Sequence, residues 1–111
     1  MSVKYEVQAE EADSSGGKKG IVRFNGALDM AGWEELRQDV LRRLGSGCLT
    51  WEFDLTGLEH CLSVDLGMWI TMNVTIKNHE GRLSFLVARD SGIDRIISVT
   101  RLARVLDIHL L

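Results

Sequence analysis

Alternating apolar and polar positions predict the strands of this chain. Residues 3–9 (VKYEVQA) and 49–55 (LTWEFDL) alternate with a period of two, which is typical of strands with one wet face. A polar, glycine-rich segment, residues 10–20, is predicted as a mobile hairpin loop that leads to a second strand at 21–27 (IVRFNGA). Further strands are predicted at 83–88 (LSFLVA), apolar enough to be covered on both faces, and in the C-terminal IHLL.

Apolar residues at helical spacing separate these strands. Asp29 stands where an N-cap belongs, and the helix that follows is expected to end at Gly45. A second helix is predicted from about Val64 to Glu80, with Gly81 as its stop, and a third over residues 92–105. This order predicts an α/β fold in which a mixed, mainly parallel sheet of about five strands is packed against helices.

Residues 1–111 are expected to form a single domain, with the first strand and the flexible loop in residues 1–20. The chain is 45% hydrophobic and 26% charged, as in an ordinary soluble globular protein. Its net charge of -3 gives no basic footprint for nucleic acid or acidic membranes, so neither partner is expected. The first residues, MSVKYEVQAEE, contain no apolar core of signal-peptide length, and no apolar run approaches roughly 20 residues, so we expect a cytoplasmic protein.

The segment HCLSVDLGMW, residues 60–69, places a polar patch where the second helix begins. Ser63 in this patch either caps the helix, worth about 1 kcal/mol, or is modified by another protein. A phosphate here would meet free N–H groups and the positive end of the helix dipole. It would add about -1.5 to -2 charges at pH 7, which Asp65 would repel. Phosphorylation is therefore expected to release a partner rather than unfold the domain.

The second helix is apolar in almost every direction, more than one buried face requires. Some of its apolar side chains are therefore expected at the surface. Met68, Trp69 and Met72 are the candidates for a partner-binding surface together with Ser63 and Asp65, because Trp and Met are enriched in interface cores. The alternative is a helix that packs on both sides in a small core.

Catalysis has weaker support. His60 and Cys61 are neighbours, but adjacent side chains in extended chain point apart and no third group orients the imidazole. The three histidines have no metal-ligand spacing with the two cysteines, Cys48 and Cys61, which are predicted as small buried hydrophobes. We therefore expect neither an enzyme, nor a metal site, nor a cofactor.

From about Ile21 to Ile108 the chain resembles the STAS domain, the family of bacterial anti-sigma factor antagonists. The similarity lies in the LD before the first helix, in DLTG (54–57) and in LSVDLG (62–67). The family has an Asp-Leu-Ser-Gly-like strand end and an Asp-Ser-Ser-Gly-Leu-Gly-like helix start. The motif residues that match are Asp54, Gly57, Leu66 and Gly67.

In this resemblance, Ser63 falls on the serine that a partner kinase phosphorylates in family members. The chain departs from the pattern at three positions. Leu62 stands in place of the family's Asp, Val64 in place of the second Ser, and Asp65 in place of the Gly. The carboxylate that lies beside the hydroxyl in family members is therefore absent from its usual place.

The resemblance implies a non-enzymatic regulator of transcription that works by partner switching. It would bind a serine kinase or anti-sigma factor of the histidine-kinase-like ATPase fold, with a phosphatase as a further partner, and be phosphorylated at or near Ser63. A monomer or weak dimer is expected. Two alternatives stay open. One is an unmodified STAS adaptor subunit on an assembly such as an ABC-transporter ATPase, and the other is a small thiol enzyme that uses Cys61 and His60.

Overall fold

The computed structural model describes residues 5–11 and 18–111. Strands and helices follow the predicted order: β1 (Tyr5–Glu11), β2 (Lys18–Phe24), α1 (Met30–Gly45), β3 (Cys48–Asp54), α2 (Ser63–Asn78), β4 (Arg82–Val87), α3 (Gly92–Thr100), a 3-10 turn (Leu102–Arg104) and β5 (Asp107–Leu110). The predicted α/β fold is confirmed. Most of the predicted hairpin loop, residues 12–17, lies outside the described residues, as do residues 1–4.

The five strands lie in the sheet in the order β1-β2-β3-β4-β5. β1 pairs antiparallel with β2, and the other neighbours pair in parallel, which confirms the predicted mixed, mainly parallel sheet. Each parallel crossover moves one strand in the same direction, and such crossovers are right-handed. All three helices therefore lie on the same face of the sheet.

The core lies between the sheet and this helical layer, and a row of aromatic rings crosses it. Phe24, Phe53 and Phe85 stand on three neighbouring strands, with ring centroids 5.3 and 5.5 Å apart. Trp33 of α1 packs on Phe24 at 5.5 Å, and Trp69 of α2 packs on Phe85 at 6.3 Å. These contacts bury the large aromatic side chains and fix how α1 and α2 sit on the sheet.

The other face of the sheet is mainly polar, although Ile21 on β2 is buried there. Lys19 and Glu52 pair across β2 and β3 at 3.6 Å, and Arg23 approaches Asp54 at 3.9 Å. β4 also alternates between buried and half-buried residues. The prediction that β4 is covered on both faces is therefore wrong, because all the helices lie on one side.

Gly45 and Gly81, which were predicted to end α1 and α2, are not the left-handed residues that follow these helices. Gly45 is the last residue of α1, and it is Gly47, at φ 98°, that adopts the left-handed conformation. After α2 the left-handed residue is Glu80, at φ 64°. A side chain at Gly81 would lie 2.5 Å from the carbonyl oxygen of Leu49, so glycine is needed there for the close approach of β3.

The third helix is shorter than predicted. α3 ends at Thr100 because Arg101 adopts a left-handed conformation at φ 59°, and the chain continues as the 3-10 turn. Leu102 and Leu106 then turn into the core. The apolar spacing that predicted a helix to residue 105 therefore comes from two separate elements.

Candidate functional site

The N-termini of α1, α2 and α3 meet at one edge of the sheet, because each helix follows the carboxyl end of a parallel strand. Asp29 caps α1, as predicted, by accepting a hydrogen bond from the Gly32 N–H at 2.7 Å. Ser91 caps α3 by accepting one from the Asp94 N–H at 3.1 Å. α2, between them, begins in a different way.

Leu62, and not Ser63, is the N-cap of α2. The Leu62 side chain offers no acceptor, and the Leu62 N–H instead donates to Oδ2 of Asp65 at 2.6 Å. Ser63 is exposed as the first helical residue, and no side chain or backbone group in the described part of the chain hydrogen-bonds its hydroxyl. The alternative in which Ser63 serves as the cap is therefore wrong, and its oxygen faces solvent.

The carboxylate of Asp65 lies inside the domain and is only 2% exposed. Its Oδ1 accepts hydrogen bonds from Trp33 Nε1 at 2.8 Å and from the Leu28 N–H at 3.2 Å. With the Leu62 bond, three N–H donors surround the charge between the N-termini of α1 and α2, whose dipoles favour an anion. The prediction that Asp65 lies on a partner surface is wrong, because this carboxylate joins two helices.

Most of the α2 side chains expected to form a partner surface are buried or half-buried. Trp69 and Met72 are fully buried, and Met68 is half-buried. The prediction that Trp69 and Met72 bind a partner is therefore wrong, because both face the sheet. The expectation that α2 has surplus apolar residues is confirmed, but the exposed ones are Ile70 at 40% and Val74 at 50%.

Ser63, Gly67, Ile70 and Val74 recur at i, i+4, i+7 and i+11, which places them along one stripe of the helix. We call these four residues the α2 outer stripe. A side chain at Gly67 would meet nothing within 4 Å, so the domain itself does not require glycine there. In the sequence, a glycine inside the predicted helix was the one signal that could have located this face.

Two further features border the stripe. Val105, 55% exposed, lies beside the C-terminal half of α2, where its carbonyl accepts a hydrogen bond from Asn73 Nδ2 at 3.2 Å. At the other end, Leu62 is 55% exposed and lines a cleft of about 560 Å³. The cleft is formed by the loop after β2 and the loop after β3: Asn25, Gly26, Ala27, Gly57, Glu59, His60 and Leu62.

The remaining motif residues shape the chain around Ser63. Asp54 Oδ1 accepts hydrogen bonds from the backbone N–H and the hydroxyl of Thr56, at 3.0 and 2.6 Å, and so forms the turn that ends β3. A side chain at Gly57 would lie 3.0 Å from the carbonyl oxygen of Phe24. Leu66 is half-buried against the core. These residues fix the loop that leads into α2.

The cysteine and histidine beside Ser63 are poorly placed for thiol chemistry. Burial raises the pKa of the half-buried Cys61 thiol, and the nearby Asp65 charge raises it further. A thiol enzyme needs a thiolate, which both effects disfavour. His60 is exposed in the same loop. Cys48, at the other end of the sheet, is buried as predicted.

Within residues 5–11 and 18–111, no group of three or more His, Cys, Asp or Glu side chains is arranged to hold a metal ion. No helix in that part of the chain has the length and apolar character needed to cross a membrane.

Comparison with known proteins shows the fold. The sequence matches no protein-family model and no curated protein. The structure is similar to an anti-sigma factor antagonist from Mycobacterium paratuberculosis, with a TM-score of 0.68, 18% identity and coverage of 95% of this chain and 85% of that one. It is also similar to the anti-sigma factor antagonist SpoIIAA in its unphosphorylated form, with a TM-score of 0.71, 16% identity and coverage of 96% and 88%.

A putative anti-sigma factor antagonist from Thermotoga maritima gives a TM-score of 0.66 at 19% identity, over 92% of this chain and 84% of that one. The chain therefore has the SpoIIAA-like fold that the resemblance to STAS domains predicts. Identities this low establish a shared fold, and function has to be argued from the site.

Proposed function

We propose that the protein is a cytoplasmic regulator of the anti-sigma factor antagonist type, which binds a serine kinase or anti-sigma factor and is switched by phosphorylation of Ser63. The proposal rests on one observation. Ser63 presents a solvent-facing hydroxyl, free of hydrogen bonds within the described part of the chain, at the first residue of α2. A structural neighbour, SpoIIAA, has a form named as unphosphorylated, which is consistent with a phosphorylation switch on this fold.

The surface of α2 supports a docking role. A kinase that reaches Ser63 would lie over the α2 outer stripe, where Gly67 permits close approach and Ile70 and Val74 offer exposed apolar side chains. Because Ile70 and Val74 are already about half buried, covering each contributes about half of the roughly 1.5–3 kcal/mol that full burial of such a side chain provides. No charged residue follows Asp65 until Lys77, so little has to be desolvated when a partner covers the stripe.

Phosphorylation would make the α2 outer stripe costly for a partner to cover. A phosphate adds about -1.5 to -2 charges at pH 7 at the end of an uncharged stripe. A partner that closes over it must desolvate that charge, at an effective cost of several kcal/mol. The domain itself would tolerate the phosphate, because the N-terminus of α2 favours an anion. We therefore expect the modified protein to stay folded and to release its partner.

The test is phosphorylation by the candidate kinase, a histidine-kinase-like ATPase, with ATP. We expect one phosphate that mass spectrometry maps to Ser63. Ser63→Asp should weaken the kinase complex at least about tenfold in a titration, which is about 1.4 kcal/mol. Ser63→Asn, of similar size but uncharged, should bind close to wild type. A phosphate on another residue, or equal binding by both variants, would contradict the proposal.

One observation favours an adaptor as a second candidate. Leu62 replaces the family's Asp, and its exposed side chain extends the apolar surface to the start of α2. A surface without charge suits a permanent interface, such as one with a transporter ATPase. For an adaptor, co-purification with that ATPase should be unaffected by Ser63→Asp. The thiol enzyme finds no such support, given the raised pKa of Cys61.

A further inference from the structure

The carboxylate of Asp65 touches both loops that form the cleft beside Ser63. Leu28, whose N–H donates to Oδ1, directly follows the loop after β2. Leu62, whose N–H donates to Oδ2, ends the loop after β3 and itself lines the cleft. The same carboxylate accepts from the indole of Trp33 on α1. One side chain therefore fixes both walls of the cleft and the first turn of α1.

The buried carboxylate of Asp65 is stabilised by N–H donors and, within the described ranges, not by a cationic side chain. All salt bridges among the described residues involve other carboxylates, so no cation pairs with Asp65. The negative charge is held by three hydrogen bonds and by the positive ends of two helices. New negative charge at Ser63, two residues away, would act on the same helix end and repel the carboxylate.

We propose that Asp65 is a positioning residue that couples the charge state of Ser63 to the N-terminus of α1. This inference rests on the proposed function, in which Ser63 is the switch. When Ser63 gains negative charge, the hydrogen bonds from Leu28 and Trp33 to Asp65 lengthen, and the wall of the cleft next to α1 moves. A partner seated at α2 then meets a changed surface on α1 as well.

The three tryptophans provide the reporters. The indole N–H of Trp33 donates to Asp65, whereas that of Trp51 donates to the Cys48 carbonyl at 2.8 Å, at the opposite end of the sheet. The Trp69 indole finds no acceptor among the described residues. The three side chains therefore have distinct surroundings, and their N–H resonances should be separable in a nitrogen-15 NMR spectrum of the full chain.

We expect Ser63→Asp to shift the Trp33 indole resonance and the Leu28 amide resonance, while Trp51 stays in place. Ser63→Asn, the uncharged control, should leave the resonances of the Trp33 indole, the Leu28 amide and the Trp51 indole at their wild-type positions. Equal shifts in both variants, or an unmoved Trp33 and Leu28 in Ser63→Asp, would overturn the proposal.

The charge at Ser63→Asp could also shift the Trp33 resonance directly through space. Asp65→Asn distinguishes this direct effect from one transmitted by the Asp65 carboxylate. In that background the shift of Trp33 caused by Ser63→Asp should disappear, and its persistence would overturn the proposal. In Trp33→Phe, which keeps the carboxylate, Ser63→Asp should still move the Leu28 amide, and an unmoved amide would equally overturn it. None of these measurements needs a kinase, so failure of kinase binding contradicts the proposed function alone, and an unmoved Trp33 contradicts the coupling alone.

Discussion

α1 and α2 are both sixteen residues long and pack side by side on one face of the sheet, but their outer surfaces differ. α1 presents charged residues that pair along the helix, with Arg37 donating to Glu34 at 2.7 Å and both Arg42 and Arg43 contacting Asp39. α2 presents Gly67, Ile70 and Val74 and has no charge between Asp65 and Lys77.

The two helices also begin differently. The cap of α1, Asp29, is an exposed carboxylate on the helix it serves. The carboxylate that serves α2 is buried and is shared with α1. Both helices bury one side against the sheet, but α1 has a charged outer surface and its own exposed cap, whereas α2 is held at its N-terminus by a buried carboxylate and has an apolar outer stripe with an exposed serine.

The largest expected effect is the difference in stability loss when each of the two capping carboxylates, Asp65 and Asp29, is removed. Asp65→Ala should lower the free energy of unfolding by about 3 kcal/mol, because it leaves buried N–H donors without an acceptor. Asp29→Ala should cost about 1 kcal/mol, since solvent can replace an exposed cap. Urea unfolding of the two variants measures both values. Similar losses would mean that the buried contact is no more important than the exposed one.

The next effect tests the outer surface of α2. Val74→Glu gives α2 a charge like those on α1, and we expect it to weaken partner binding about tenfold, as for an interface residue of intermediate importance. The stability of the free domain should hardly change, because Val74 is already half exposed. Val99→Glu makes the same change at an exposed position of α3 and serves as the control. Equal binding by both variants would remove the α2 outer stripe from the docking surface.

A smaller effect compares one glycine in each helix. A side chain at Gly67 or at Gly45 would meet nothing within 4 Å. Alanine at either position should therefore raise stability, by up to about 1 kcal/mol at Gly67 and less at the helix end, as thermal unfolding would show. Only Gly67→Ala should also weaken partner binding. Unchanged binding would show that the partner does not approach this part of α2 closely.

The smallest effect concerns the ion pairs of α1. Hydrogen bonds from Arg37 and then from Gln38 lower the pKa of Glu34 to about 2. Because the folded pKa lies below the unfolded one, this contribution to stability is present above pH 4.5 and is lost as pH falls towards 2. The stability difference between wild type and Glu34→Gln should be small at pH 7, as for an exposed pair, and should shrink over that range. A difference independent of pH would contradict this assignment.

Much of the architecture follows from the sequence. Strict alternation in residues 49–55 predicted β3, and the cap at Asp29 predicted the start of α1, because both patterns depend on local geometry. The site was predicted less well. Ser63 is exposed as expected, but Trp69, Met72 and Asp65, all expected at the surface, are buried.

The reason lies in α2 itself. Its apolar residues surround the helix, so their spacing does not distinguish an inner from an outer face. Packing of Trp69 against Phe85 selects the inner face and leaves Ile70 and Val74 outside. Two of the three donors to Asp65, Leu28 and Trp33, lie more than thirty residues away in the chain. The sequence alone determined the order of elements and the place of the serine, whereas long-range packing decided which side of α2 faces solvent.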